Sequence, residues 1–165
     1  MGLLSFVKEA GEKLFGKGKA QAAMTAAQAD PSSTEKAKAA NDAAADAILA
    51  YIDAQGLKAT GLTVTFDGSA ATVYGVADSQ ATKEKIVLCC GNVQGVAAVN
   101  DQMTVDQSAA EAQYYTVVKG DNLSKISKQY YGDPNKYATI FEANKPMLKS
   151  PDLIYPGQVL RIPPL

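Results

Sequence analysis

The pattern of apolar and polar positions divides the chain into three parts, of which the first is a short N-terminal segment. Five of its apolar residues fall on one face of a helix: Leu3, Phe6, Val7, Ala10 and Leu14. The charged residues fall mainly on the opposite face, so the spacing predicts an amphipathic N-terminal helix over residues 1–16. Acidic and basic residues are balanced on that face. This favours docking onto the protein's own body over binding to a membrane surface.

The middle part begins with residues 17–40, which are rich in alanine and have few large apolar side chains. We interpret this stretch as a spacer of low specificity that is partly helical. A helix is expected from Thr34 onward, and Gly56 ends it. The residues that form its buried stripe are Ala47, Ile48, Tyr51 and Ile52.

Two runs of alternating apolar and polar residues, 62–66 and 71–74, flank the pair Asp67-Gly68 and predict a β-hairpin. A second helix should start at Asp78-Ser79 and end at Gly91-Asn92, before a third strand over 96–105. Helix, strand, strand, helix, strand over residues 41–106 resembles the BON domain. The motifs that carry the resemblance are Asp67-Gly68, Val73-x-Gly75 and Gly95-Val96-x-x-Val99-x-Asp101-x-Met103-x-Val105.

The C-terminal part follows a linker over 107–113 and repeats the same kind of local signals. Thr116 to Val118 predicts a strand, and Asp121 or Asn122 can cap the helix that comes next. A second helix and a turn at Pro156-Gly157 lead to a last strand. Strand, helix, helix, strand over residues 114–165 closely resembles a LysM domain. The fold class is therefore α+β: an N-terminal amphipathic helix, an αββαβ BON domain and a separate βααβ LysM domain.

Composition argues against several kinds of function. The 165 residues have a net charge of −1 and no basic stripe, so we expect no binding to nucleic acid. Histidine is absent, which removes the commonest general base and the commonest transition-metal ligand. We therefore predict that the protein is not an enzyme, and we propose no catalytic residue. The adjacent Cys89 and Cys90 do not suit disulfide geometry and are expected to be buried thiols, with a vicinal redox switch as the alternative.

The sequence also indicates in which compartment of the cell the protein is expected. The first fifteen residues lack the features of a signal peptide, and no stretch is long and apolar enough to span a membrane. We expect a cytoplasmic protein. The LysM resemblance alone implies recognition of peptidoglycan or another N-acetylglucosamine polymer. Its groove would be formed by Gly120, Asp121, Asn122, Leu123, Ile154 and Tyr155. At position 122 this chain has asparagine, where that family commonly has serine or threonine. Glycan binding is kept as the alternative function.

The combination of all three parts resembles the bacterial cytoplasmic potassium-binding proteins of the BON–LysM type. The start of the chain, the turn at 91–102 and the stretch at 141–152 carry this resemblance. It implies a K+ sensor or buffer that becomes compact on binding its ion. It also implies an ion held by the backbone carbonyls of Val7, Ala10, Glu12, Gly91, Val93 and Val96. We expect a monomer, and a cytoplasmic protein partner is left open.

Ion binding by these groups is physically reasonable. Potassium is large and singly charged, so uncharged carbonyl oxygens can replace its water shell. Carbonyls become available where helices end and where glycine makes a turn. A divalent ion would instead call for a carboxylate-rich loop, and the sequence has none of the Asp-x-Asp-x-Asp-Gly kind.

Overall fold

The computed structural model describes residues 2–15, 18–30 and 32–165, which form two α+β units. The strands are β1 (Gly2–Ser5), β2 (Thr60–Phe66), β3 (Ala70–Ser79), β4 (Ala98–Gln107), β5 (Gln113–Thr116) and β6 (Val159–Ile162). The helices are α1 (Gly18–Ala29), α2 (Thr34–Ala54), α3 (Gln80–Gly91), α4 (Leu123–Tyr131) and α5 (Tyr137–Ala143), with a short 3-10 helix at Pro134–Lys136. None of these helices is both long enough and apolar enough to cross a membrane.

The first unit is built on a four-stranded sheet in the order β1-β4-β3-β2. β3 and β4 run parallel, joined by α3, and the other two pairings are antiparallel. Residues of α2 and α3 pack with alternate residues of the strands into one core, which includes Ile48, Ile52, Val73, Ile86 and Val99. The predicted order of helix, strand, strand, helix, strand is confirmed.

Local signals define most element ends in this unit. The Ser79 side chain accepts a hydrogen bond from the N–H of Thr82 and caps α3. The Asp67 carboxylate accepts the N–H groups of Ser69 and Ala70, which closes the hairpin between β2 and β3. These are interactions between near neighbours, so the sequence pattern predicts them well.

The predicted N-terminal helix is wrong. Gly2–Ser5 is an edge strand that pairs antiparallel with β4 from Gly2–Asp101 to Ser5–Ala98, and the chain then continues without regular structure. Its apolar residues do not share one buried face, because Leu3 is 69% exposed and Val7 is 44% exposed. Pairing with a strand distant in sequence therefore prevails over a local helical pattern.

The alanine-rich segment, which we predicted to be a partly helical spacer, contains the whole of α1 and the start of α2. Helix α1 packs against α2, which starts at Thr34 behind the N-cap Ser33. Ala20 of α1 is only 2% exposed. Positions 1, 16, 17 and 31, which belong to the predicted helix and spacer, lie outside the described residues.

The second unit has the predicted order of strand, two helices and strand, with β5 beginning before the predicted run at 116–118. Asn122 is the N-cap of α4 and accepts the N–H of Lys125 at 2.8 Å. Leu123, Ile126, Ile140, Leu148 and Leu160 form a separate small core. Each unit thus has its own apolar interior.

Candidate functional site

The N-terminal segment 6–15 lies directly against the turn that follows α3. Glu12 and Val93 form a parallel β-bridge, so the two segments run side by side. The backbone hydrogen bonds between them are Phe6 N–H to Ala97 O (2.8 Å), Gly95 N–H to Lys8 O (2.7 Å), Glu12 N–H to Asn92 O (2.8 Å) and Gln94 N–H to Glu12 O (2.9 Å). The structure therefore places the two segments that carry the predicted carbonyls side by side, although they are separated in sequence by all of α1 to α3.

Glycines make this close approach possible. A Cβ on Gly91 would lie 2.1 Å from the Phe6 ring, and a Cβ on Gly95 would lie 2.8 Å from the Phe15 ring. Gly95 also has a φ of +106°, a conformation that favours glycine. Gly91 has no positive φ, so its requirement for glycine comes from the aromatic ring and not from an unusual backbone shape.

The predicted ligands differ in how far their carbonyl oxygens are already used. Within the described residues, no N–H donates to the carbonyls of Ala10, Gly91 or Val96. The carbonyls of Val7 and Val93 accept one N–H each, from the residue three positions later. A carbonyl oxygen has two lone pairs, so these five keep free acceptor capacity.

Glu12 is the exception among the six. Its carbonyl accepts the N–H of Gln94 at 2.9 Å and the N–H of Leu14 at 3.1 Å. The second of these closes a tight turn over only two residues, so both lone pairs of this oxygen are in use. Taken together, the donors are neutral oxygens on two facing segments, a set that suits a large monovalent cation.

The Glu12 carboxylate and two tyrosine hydroxyls lie near one another at this junction. Burial, and then the nearby carboxylate of Glu12, raise the pKa of Tyr155 to about 12. The pKa of Tyr51 on α2 is raised by burial first, and then by Cys89, Glu12 and Tyr155. Glu12 forms no ion pair within the part of the chain that the structure describes. The raised pKa values keep both phenols neutral near pH 7.

The second unit contacts both segments of this candidate site. The Asn92 side chain donates to Val159 O at 2.8 Å and accepts the Val159 N–H at 2.9 Å. Gly157 lies against Val7 and Ala10, since a Cβ there would be 2.7 Å from the Ala10 Cβ. Sequence reasoning missed these contacts, because nothing in the chain pattern pairs residues 92 and 159.

A buried ion pair supports the same interface. Glu84 on α3 lies 2.5 Å from Arg161 on β6, and its other oxygen accepts hydrogen bonds from Gln80 and from the Ala112 N–H. Both charged side chains are less than a tenth exposed. Removing one member would leave an uncompensated buried charge, so the loss of either side chain is expected to destabilise this interface.

Most of the predicted glycan-binding residues pack in the core of the second unit or make hydrogen bonds within it. Leu123 is 2% exposed and belongs to the core of the second unit, and Ile154 packs against that core. The Asp121 carboxylate accepts the Tyr115 hydroxyl and the Val118 N–H. Asn122 caps α4, and the Gly120 carbonyl accepts a hydrogen bond from the Lys125 ammonium. Tyr155 is half-buried near the N-terminal segment.

The loop before β6, the other side of that groove, faces the first unit. A cleft of about 300 Å³ is lined by Glu12, Tyr51, Gln55, Met147, Leu148, Lys149 and Leu153. The two predicted halves of the groove therefore have different surroundings, one open to solvent and one against the neighbouring unit.

The two cysteines are confirmed as buried thiols. Both are free, and Cys90 is fully buried in the core of the first unit. Burial raises the pKa of Cys90 to about 12, and burial and the neighbouring thiol raise the pKa of Cys89. A thiol with a raised pKa is a poor nucleophile, so the pair does not have the properties of a redox switch.

Comparison with known proteins identifies both units. The BON domain family model matches residues 34–107, and the LysM domain family model matches residues 115–163. The fold and its interface thus define a two-domain BON–LysM protein.

The chain is 44% identical over 164 residues, covering 99% of both sequences, to the Potassium binding protein Kbp of Escherichia coli O6:H1. It belongs to the family of that protein. It is also 36% identical over 131 residues to an uncharacterized protein of Deinococcus radiodurans, with 72% of this chain and 51% of that protein covered.

Proposed function

We propose that this protein binds potassium and acts as a cytoplasmic sensor or buffer of the ion. The ligands are the backbone carbonyls of Val7, Ala10, Glu12, Gly91, Val93 and Val96. The observation that carries the proposal is the hydrogen-bonded pairing of segments 6–15 and 91–97, in which no described residue donates an N–H to the carbonyls of Ala10, Gly91 and Val96. Membership of the family of a potassium binding protein supports potassium as the ion.

The same arrangement accounts for an ion-dependent change of shape. Bringing residue 12 to residue 93 closes a long loop and costs conformational entropy. An ion that ligates both segments offsets this cost, because it binds well only when they are together. Without the ion the N-terminal segment is held less firmly, and with it the body becomes compact.

Thermal unfolding of the full chain tests the proposal. Samples in potassium chloride, sodium chloride and choline chloride are matched in ionic strength, so that general salt effects cancel. At an ion concentration of about 100 times Kd, binding adds about 2.7 kcal/mol to stability. For a chain of this size that corresponds to a rise in Tm of about 5–10 °C. Equal Tm values in the three salts would contradict potassium binding.

Recognition of an N-acetylglucosamine polymer is the second candidate, and the LysM match over residues 115–163 supports it. Against it stand the structural tasks of Asp121, Asn122 and Leu123. Titration with a chito-oligosaccharide, followed by the amide NMR signals of Asp121, Asn122 and Ile154, separates the two functions. Shifts that saturate at low ligand concentration and are confined to these residues, together with a Tm that does not depend on potassium, would favour glycan binding as the function.

A further inference from the structure

Strand β2 forms one edge of the BON sheet, and among the described residues it pairs with β3 alone. The Asp67 N–H donates to Ala70 O, and hydrogen-bonded pairs alternate with non-bonded pairs along an antiparallel ladder. Thr65 therefore directs its backbone groups to β3, whereas Val64 and Phe66 direct theirs away from the sheet. No described group outside the sheet bonds to the backbone of these two residues.

This edge has little protection against pairing with another strand. Proteins commonly protect an edge with lysine, proline or a β-bulge. The sequence of β2, Thr60–Phe66, contains no charged residue and no proline. A register shift between Thr60 and Thr63 marks an irregularity, but the ladder is regular from Thr63 to Phe66. The last four residues of β2 thus present an open edge.

A groove of about 710 Å³ lies between α2 and the first half of β2. Its lining includes three leucines and three charged residues: Leu49, Leu57, Leu62, Asp46, Asp53 and Lys58. Both carboxylates are exposed, and neither belongs to an ion pair in the part of the chain that the structure describes. The groove therefore combines apolar surface with an excess of negative charge.

The acidic residues have a spacing that an extended chain can match. Asp46, Leu49 and Asp53 lie on one face of α2, at positions i, i+3 and i+7. Seven residues of helix span about 10.5 Å. In a strand, residues i and i+4 point to the same face and lie about 13 Å apart. The flexible stem of lysine covers the difference, so a basic-x-apolar-x-basic segment fits this acidic-apolar-acidic stripe.

We propose that the open edge of β2 and this groove bind an extended segment of a partner protein with that pattern. The segment pairs with residues 63–66 as a fifth strand, its apolar residue contacts Leu49 and Leu62, and its basic residues pair with Asp46 and Asp53. Main-chain bonds supply affinity in this mode of recognition, and alternate side chains supply specificity. The surface contains none of the carbonyls proposed to hold potassium, so the inference does not rest on that function.

Charge argues against a second copy of this chain as the occupant. Antiparallel pairing of two β2 edges would put both α2 helices on the same face of the joined sheet. The stripes that contain Asp46 and Asp53 would then approach each other, and like charges oppose such an interface. A partner with basic residues is favoured instead.

The test uses the synthetic peptide Thr-Lys-Thr-Val-Thr-Lys-Thr with capped ends, titrated into the full chain and followed by amide NMR signals. Saturable shifts are expected at Val64 and Phe66. At ninety per cent saturation, hydrogen exchange of these two amides should slow about tenfold, because only unbound protein exposes them. A peptide with glutamate in place of lysine should cause no saturable shift.

Methylated peptides test strand pairing directly. Each edge of a strand displays the backbone groups of alternate residues. One peptide is N-methylated at both lysines and the valine, and another at the two threonines between them. Only one of the two should bind like the unmodified peptide, and the other should bind at least about tenfold more weakly.

Matched protein variants test the acidic stripe. Asp46→Asn and Asp53→Asn should each raise the Kd for the peptide about threefold, the size expected of an exposed ion pair. Asp152→Asn makes the same change at an exposed carboxylate of the LysM domain and should leave Kd unchanged.

Several results would overturn the proposal. These are no saturable shift at Val64 and Phe66, equal binding of the glutamate peptide, equal binding of both methylated peptides, or an effect of Asp152→Asn as large as that of Asp46→Asn. Protection of the β2 amides that rises with protein concentration in the absence of peptide would identify a second copy as the occupant, and would also refute it.

Discussion

Replacing Gly91 with alanine would place a methyl group where the Phe6 ring lies. The added Cβ would stand 2.1, 2.2 and 2.3 Å from three ring carbons, far inside any van der Waals contact. Gly91 lies at the end of α3 without a positive φ, so its backbone accepts alanine. The whole penalty must therefore come from displacing Phe6, the first residue of the segment proposed to bind the ion.

The size of the effect follows from two opposing contributions. Phe6 is half-buried against the core of the BON domain, so expelling it forfeits about half of the roughly 1.5–3 kcal/mol that full burial of such a side chain contributes. Retaining the ring under compression costs about 1–3 kcal/mol instead. Alanine meanwhile gains up to about 1 kcal/mol of helix propensity over glycine. We expect a net loss of about 1 kcal/mol and a weaker affinity for potassium.

Urea unfolding of four proteins checks this reasoning: wild type, Gly91→Ala, Phe6→Ala and the double variant, all in saturating potassium chloride. In the Phe6→Ala background the clash is gone, so Gly91→Ala should become neutral or stabilising by up to about 1 kcal/mol. This change of sign is the diagnostic result. Equal destabilisation in both backgrounds, to within about 0.5 kcal/mol, would show that Phe6 is not the cause.

Four further predictions concern the N-terminal segment, the two domains, Cys90 and the glycan groove. Deleting residues 1–15 should abolish the effect of potassium on Tm, because half of the proposed ligands are lost. A chain ending at Gln107 should still bind potassium by calorimetry, but more weakly, and a response confined to the isolated LysM domain would contradict the site. Cys90 should resist alkylation at pH 8 until the protein unfolds. Because its pKa is raised in the folded state, the free energy of unfolding should fall as pH rises from about 8.5 toward 12. Urea unfolding across that pH range measures this loss. Chito-oligosaccharide should shift the amide signals of Asp121 and Asn122 weakly or not at all.

Features decided by near neighbours could be predicted from the sequence. Each helix is capped by one of the two residues predicted for it, Asn122 and Ser79, and the hairpin closes at Asp67-Gly68. Each of these features depends on residues two or three positions away. The buried stripe of α2, with Ile48 and Ile52 fully buried, follows in the same way from helical spacing.

Strand β1 and the domain interface could not be predicted in this way. The segment at residues 2–5 becomes a strand only because β4 offers it an edge, and no local propensity records that partner. Similarly, the sequence pattern predicts only that Asn92 marks the end of α3. Its two bonds to Val159 depend on how the domains dock, which residue types and spacing do not reveal.

The proposed ion site is hard to recognise for a further physical reason. Every residue has a carbonyl, so a cage of carbonyl oxygens leaves no characteristic residue types among its ligands. Val93 and Val96 illustrate this, because both side chains are fully buried and serve to anchor the turn in the core. What identifies the site is instead the set of residues that shape the backbone. The Phe6 ring leaves no room for a Cβ at position 91, and the Phe15 ring leaves none at position 95, so each pair fixes how closely the two segments approach.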